Sequence, residues 1–428
     1  MMKIAIIGTG HVGLISGVCF AELGNEVICI DNNEEKILNL KNGKLPIFEP
    51  ELQELLDKNK LRLTFTTSIK EGIQDAGIIF ICVGTPPKLS GDADLSTVEN
   101  VTTHIANAMH SYKLVVGKST VPVHTGIRIK QLMEAKVKSG LSFDVASNPE
   151  FLREGAAIYD FMHPDRIVIG VETERAQKIL TELYKPIKAP ILVTDIESAE
   201  LIKHASNSFL ATKISFINAV AKICERAGAN IEQVAQGIGL DHRIGPEFLQ
   251  AGIGFGGFCF PKDIRAFRRI AEKLGVDFSL LKEVEKINES MKNDFVIKVE
   301  ESLWNLSNKT IGILGLSFKP DTEDMRYAPS IDIIQMLQKE GAKIRAYDPQ
   351  AMPIAKNILK DIEYCKNPYE VADGADCLCI LTEWKEFKEL NLDRIMALLK
   401  SPIIIDGRNI FEKEKMRKLG FTYQGIGR

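Results

Sequence analysis

No apolar run in this chain approaches the length of a membrane span, so a helical membrane protein is not expected. Charge of one sign is also missing. The 54 basic and 57 acidic residues leave a formal net charge of −3, too weak a field to draw nucleic acid or a membrane surface. Paired cysteines are missing as well. Cys19, Cys29, Cys82, Cys224, Cys259, Cys365, Cys377 and Cys379 are scattered without a CxxC pair, which argues against structural zinc or any other metal site. The same scatter suits a reducing cytoplasm. Met1 to Gly8 is apolar but too short for a secretory signal, and it runs directly into a glycine turn. A cytoplasmic protein is therefore expected.

What the chain does have is ordinary bulk and several unusual stretches. Its 428 residues call for two or three domains, and 45% apolar with 26% charged residues is normal for a globular protein. The most concentrated stretch is Gly254-Phe255-Gly256-Gly257-Phe258-Cys259-Phe260-Pro261-Lys262-Asp263. With Gly252, four glycines fall within six residues, too many for a helix or strand interior. A thiol on such a loop, beside a cation and a carboxylate, has the surroundings of an activated nucleophile. Taken alone, it reads more readily as a structural cysteine in an apolar loop.

The N-terminus is a nucleotide-binding pattern in its proper context. Lys3 to Ile7 reads as a buried strand, Gly8-Thr9-Gly10-His11-Val12-Gly13 as a turn, and Leu14 to Leu23 as a helix. Glu26 to Ile30 is a second strand ending on Asp31. In GxGxxG the first glycine makes the turn, the second admits a pyrophosphate and the third lets helix and strand approach. Asp31, 18 residues after Gly13, is placed to accept the ribose hydroxyls, and its charge favours NAD over NADP. Strands follow at Ala76 to Val83 and Leu114 to Lys118, ending at Thr85 and Thr120. Hydroxyls at such strand ends either meet ligand or cap the next helix. Glu150 and Glu154, four apart, can share one helical face, and in isolation they read more readily as a solvated helix start.

From Ser198 to about Ala227 some thirty residues without proline or interior glycine read as one long spine helix. Lys203 and Asn207, one turn apart, point the same way and interrupt its apolar pattern. A second helical stretch is expected from about Val276 to Trp304. After it, Lys309 to Leu316, Ala342 to Asp348, Ala375 to Leu381 and Ile403 to Arg408 repeat the N-terminal order weakly, without a full GxGxxG. The fold class is α/β: two Rossmann-like doubly wound domains at 1–196 and 305–428, joined by a helical middle domain at 197–304.

Taken together, these motifs resemble the UDP-glucose/GDP-mannose dehydrogenase family over nearly the whole chain. They are GTGHVGL, VGTPP, KSTVPV, NPEFLREG, the Lys203/Asn207 helix, DHRIG, GFGGFCFPKD, GLSFKPDTEDMR and IDGRN, in that order. The resemblance implies a homodimer that oxidises the C6 alcohol of a nucleotide sugar to a carboxylate with two NAD in turn. It implies Cys259 as a nucleophile passing through a thiohemiacetal and a thioester. Lys203 and Asn207 would stabilise the oxyanion, Asp263 would tune the lysine or activate water, and Glu154 and Thr120 would hold the catalytic water. Gly8, Gly10, His11, Val12, Gly13, Asp31, Lys36, Thr85, Thr120, Glu154, Cys259, Lys262 and Arg326 would meet the cofactor. Glu150, Phe151, Leu152, Lys203, Asn207, Phe248, Phe255, Gly256, Phe318, Lys319 and Arg408 would line the sugar-nucleotide site. Arg243 is expected to reach the partner subunit's substrate.

Three positions depart from the family's usual pattern: Phe258 where serine is common, Tyr327 where an acid is common, and His11 in place of a tyrosine. FGGxCFPKD looks like the UDP-glucose branch, with GDP-mannose and UDP-N-acetyl-mannosamine as the other sugars open to the same mechanism. Two other classes are a single-step NAD dehydrogenase of the hydroxyacid type and a non-enzymatic NAD sensor. The first needs neither the cysteine nor a second nucleotide fold, and the second predicts loss of catalytic groups.

Overall fold

The structure is a computed structural model that describes residues 1–88 and 91–428. The chain forms two compact units, Met1–Ser206 with Arg265–Val276, and Asn207–Ile264 with Asp277–Arg428. Of the three changes of unit, one lies between Val276 and Asp277 and two fall within helices. One is the spine helix Ile196–Ala227, whose 32 residues span about 48 Å at the α-helical rise. The other is the 15-residue helix Cys259–Lys273.

The first unit is built on eight strands: β1 (Lys3–Ile7), β2 (Glu26–Ile30), β3 (Leu63–Thr66), β4 (Ile78–Ile81), β5 (Lys113–Gly117), β6 (Phe143–Ser147), β7 (Ile167–Val171) and β8 (Ile191–Thr194). Their order is β3-β2-β1-β4-β5-β6-β7-β8. β1 to β6 run parallel. β7 reverses against β6, and β8 runs parallel to β7. The strands read as continuous β-branched runs because both faces are covered. Ile4 and Ile6 join Leu14, Val18 and Phe20 on one face, where Phe20 stacks on Phe80 with ring centroids 5.1 Å apart. Ala5 and Ile7 join Ile79, Ile81, Val101 and Ile105 on the other. The connection reverses between β1 and β4, and ligands bind at such a switch point in open sheets.

The second unit carries β9 (Thr310–Leu314), β10 (Lys343–Tyr347), β11 (Ile362–Tyr364), β12 (Cys377–Ile380), β13 (Ile403–Asp406) and β14 (Thr422–Gln424). Their order is β11-β10-β9-β12-β13-β14, parallel throughout. The weak internal repeat in the sequence is thus a repeat of topology. Ile311 and Ile313 pack with Met291, Phe295 and Val299 of the helix Ser279–Leu303. Leu314, Leu378 and Ile380 pack with Trp384 and Phe387 on the opposite face. No helix among the described residues is long and apolar enough to cross a membrane.

Candidate active site

The first unit presents the glycine turn. Gly8 has φ +97°, and a Cβ there would lie 2.7 Å from the Cys82 carbonyl oxygen. A Cβ on Gly13 would stand 1.8 Å from the Gly8 oxygen. The protein's own backbone therefore explains both glycines. Gly10 is different, because no protein atom lies within 4 Å of where its Cβ would stand. It borders a cavity of about 1220 Å³ that Gly8, Asp31, Lys36, Cys82 and Asn100 also line. That bare backbone is what a pyrophosphate needs for close approach.

Asp31 stands on the cavity wall. Its Oδ2 accepts from the Thr9 amide at 2.9 Å, the Thr9 hydroxyl at 2.8 Å and Lys36 Nζ at 3.0 Å. Burial pushes its pKa up, but the Thr9, Lys36 and Asn33 donors outweigh that and hold it below the usual carboxylate value. Thr85 is buried and its hydroxyl donates to the Thr120 carbonyl at 2.8 Å, so it braces the next loop. Val12 is half-buried in the first turn of the helix His11–Glu22. His11 Nε2 lies 3.3 Å from Glu49 Oε2. The sequence reading missed Glu49, which is buried and accepts from the amides of Gly155 at 2.8 Å and Ala157 at 2.7 Å. It therefore links the glycine turn to the Glu154 loop.

Lys203 is buried and pairs with buried Glu150 at 3.0 Å. Glu150 also accepts from the Leu152 amide at 2.6 Å. The Phe151 ring lies 5.4 Å from Lys203 Nζ and 3.7 Å from the Arg166 guanidinium. The helical reading of Glu150 and Glu154 is wrong. Residues 148–154 form no helix, and the helix Ala157–Met162 begins only later. Pro149 disfavours helical geometry at the residue before it, and Gly155 turns the chain at φ +80°. Beside this loop Lys118 is buried, donating to Asn148 Oδ1 at 3.1 Å. Burial pulls its pKa down to about 8, against the raising influence of Cys82 and Glu150.

On the spine helix, two residues flanking Lys203 also face inward. Glu200 accepts from the amides of His124 and Gly126, both at 2.8 Å. His204 Nε2 lies 2.8 Å from the Val121 carbonyl oxygen. Both side chains are buried.

The second unit holds the cysteine loop. Cys259 is exposed, and it opens the helix Cys259–Lys273 instead of ending a loop. The missed signal was Pro261, since proline is favoured in a helix's first turn. The amides of that turn and the helix's N-terminal end favour an anion. The glycines before it are required by close packing. A Cβ on Gly254 would come within 2.7 Å of Asn288 Oδ1, on Gly256 within 2.4 Å of the Tyr327 oxygen, and on Gly257 within 2.8 Å of the Phe318 ring. Two asparagines pin the loop. Asn288 exchanges bonds with the Phe255 amide (2.7 Å) and carbonyl (3.0 Å), and Asn218 accepts from the Gly252 amide at 2.9 Å.

Asp263 is 1% exposed, accepting from Asn207 Nδ2 at 2.6 Å and pairing with Lys262 at 2.7 Å. Phe258 lies under two cations, Arg326 at 4.5 Å and Lys262 at 5.6 Å from its ring centre. Phe260 meets Phe248 and Phe255 edge-on, with ring centres 6.3 Å and 5.7 Å away. Arg408 donates to the carbonyls of Leu381 (2.9 Å), Gly254 (3.2 Å) and Phe318 (3.3 Å). Lys319 Nζ lies 5.6 Å from the Phe318 ring centre. Arg243 and Arg326 fork onto their neighbours Asp241 and Asp324, and the Arg243 side chain is 78% exposed.

The repeat also has its own acid. Asp348 follows β10 as Asp31 follows β2, but it is buried. It accepts from the amides of Leu316, Ser317, Gln350 and Ala351, the Ser317 hydroxyl and the Trp384 indole. Ser317 also stands where the first unit has Gly10. Both the acid and the turn of this half therefore differ from those of the first unit.

Family models match in three parts. The NAD binding domain of the UDP-glucose/GDP-mannose dehydrogenase family matches residues 2–188, its central domain 197–290 and its UDP binding domain 312–413. The chain is 51% identical to the UDP-glucose 6-dehydrogenase TuaD of Bacillus subtilis (strain 168), across 100% of this chain and 94% of that protein. It resembles the solved UDP-glucose dehydrogenase of Pyrobaculum islandicum with a TM-score of 0.93 at 39% identity, covering 100% and 98% of the two chains. A UDP-D-ManNAc dehydrogenase from Pyrococcus horikoshii matches with a TM-score of 0.88 at 29% identity, covering 100% and 99%.

Proposed function

The chain belongs to the UDP-glucose/GDP-mannose dehydrogenase family, and on that premise we propose that it is a UDP-glucose 6-dehydrogenase yielding UDP-glucuronate. The observation that carries the reading is Cys259, an exposed thiol opening a helix after a tightly packed glycine loop. The first unit fits the cofactor NAD, because Gly10 is bare toward a cavity walled by Asp31. When bound there, NAD supplies the electron acceptor for each of two oxidations.

The chain's own residues carry the rest. The C6 alcohol is first oxidised to an aldehyde. The Cys259 thiolate then adds to the carbonyl carbon, a carbon–sulfur bond forms, and the oxygen takes a proton to give a thiohemiacetal. Its oxidation leaves a thioester. Water adds to that carbonyl, the thiolate departs, and the carboxylate is released. Lys203 and Asn207, one turn apart on the spine helix, stabilise the negative oxygen at C6. Glu150 holds the lysine and Asp263 holds the asparagine amide. Glu154 and Thr120 hold the hydrolytic water. Phe255, Gly256, Phe318, Lys319 and Arg408 bind the nucleotide sugar, and Arg326 and Lys262 serve the cofactor. The scattered cysteine spacing suits a cytoplasmic enzyme. We keep the division into domains at 1–196, 197–304 and 305–428 as part of the same reading.

The test is NADH yield against limiting UDP-glucose, expected at about two per sugar. A yield of one refutes the two-step reaction. No yield with UDP-glucose, but two with GDP-mannose or UDP-N-acetyl-mannosamine, moves the sugar and keeps the chemistry.

We propose a homodimer on a separate observation. Phe209, Phe216 and Ile223 stand seven apart on the spine helix and are 66%, 55% and 64% exposed. Residues at that spacing form one stripe, and covering each stabilises an interface by about 1.5–3 kcal/mol. Phe209→Glu with Phe216→Glu is expected to shift the molar mass in light scattering from two chains to one. Arg243, exposed in one chain, would then complete its partner's substrate site. An unchanged mass in the double variant refutes this assignment of the interface.

A further inference from the structure

We propose that Glu200 and His204 are positioning residues, which clamp the loop after β5 to the spine helix and thereby fix Thr120 for the reaction. The proposal rests on the dehydrogenase reading given above. Thr120 lies in a segment that leaves β5 and re-enters order at the helix Thr125–Lys136. Its internal support is one turn, in which the Thr125 amide and hydroxyl reach the Pro122 carbonyl at 3.2 Å and 2.6 Å. Pro122 has no amide to give, His124 takes a left-handed φ of +75°, and no side chain at the cap position caps the helix.

Further support comes from two outside elements. On the β4 side, the Ser119 hydroxyl donates to the Val83 carbonyl at 2.7 Å, and Thr85 donates to the Thr120 carbonyl at 2.8 Å. On the spine-helix side, His204 bonds the Val121 carbonyl, and the two oxygens of Glu200 take the His124 and Gly126 amides. Accepting carbonyls require His204 to donate, which places a proton on Nε2. The backbone on both sides of Thr120 is thus held, and its half-buried side chain is left to the chemistry. Gly126 brings the two helices close, since a Cβ there would lie 2.4 Å from Ile196 Cγ2.

Lys203 lies between the two clamp residues in sequence. The clamp therefore registers the group that stabilises the C6 oxygen against the group that holds water. An acid is a costly choice for this place. Burial raises the Glu200 pKa to about 8, despite the lowering influence of the Gly126 and His124 amides. Each of the two Glu200 oxygens takes one amide, which the single oxygen of a hydroxyl cap cannot match.

The experiment compares Glu200→Gln, His204→Leu and His204→Gln by steady-state kinetics with UDP-glucose and NAD, and by amide hydrogen exchange. Displacing a positioned group by about 1 Å costs up to about a hundredfold in rate. Glu200→Gln and His204→Leu are expected to lower kcat at least tenfold, with KM for either substrate changed less than threefold. His204→Gln keeps an N–H donor and should recover most of the rate. The His124 or Gly126 amide should exchange faster in Glu200→Gln. A kcat within twofold of the unaltered enzyme in both losing variants overturns the proposal. So does a His204→Gln enzyme as slow as His204→Leu, which would make the histidine a packing residue. If the unaltered protein turns over no nucleotide sugar, the functional reading fails on its own, and exchange then decides the clamp. Faster exchange at His124 or Gly126 upholds it and unchanged exchange overturns it.

Discussion

Cys259→Ser is expected to produce about one NADH or less per UDP-glucose, against about two for the unaltered enzyme. A serine hydroxyl at the head of the helix Cys259–Lys273 is far less acidic than a thiol, so little oxyanion forms to trap the aldehyde. Any adduct that does form is an ester after oxidation and leaves more slowly in hydrolysis. The variant should therefore stall with sugar held on the protein, and mass spectrometry of the quenched enzyme should show the added mass. The change removes no packing, because Cys259 is exposed, and thermal unfolding should be unaffected. A variant that still makes about two NADH per sugar would return the cysteine to a structural role.

Lys203→Met is expected to lower kcat by about a hundredfold to a thousandfold, the usual loss for one preorganised oxyanion partner. The single variant has a second effect. It leaves the Glu150 carboxylate buried without its cation, which costs about 3 kcal/mol or more of stability. Lys203→Met with Glu150→Gln separates the two. The double variant should regain most of the melting temperature while kcat stays low. Recovery of both together would mean that the ion pair serves the fold and not the oxygen at C6. Loss of neither in the single variant would remove Lys203 from the chemistry.

The parts of the fold that were legible follow from local pattern. Continuous Ile and Val runs ending in Gly or Asp gave β1, β2, β5 and β9 almost to the residue, because a sheet covered on both faces allows no polar alternation. The spine helix was legible from thirty residues without a breaker. The reversal of β7 was not legible, since the direction of a strand leaves no mark on its periodicity. The Glu150–Glu154 spacing misled because a four-residue interval has helical meaning only inside a helix. Cys259 was read as a loop residue because the glycines before it outweighed the proline after it. Glu49, Glu200 and His204 were invisible for another reason. Each bonds backbone groups 74 to 108 residues away, and only the folded chain says which amide a carboxylate will meet.

Asp31 and Asp348 hold the same station in two copies of one topology. They differ in what evolution can do with them. Asp31 faces a cavity with one oxygen given to three donors, so exchanging it alters which coenzyme is welcome and leaves the architecture standing. Asp348 is tied by backbone, hydroxyl and indole into the interior, so the same exchange dismantles its half of the molecule. A lineage drifting from this chain is free to explore coenzyme preference at the first aspartate. The second is held by the interior that it braces.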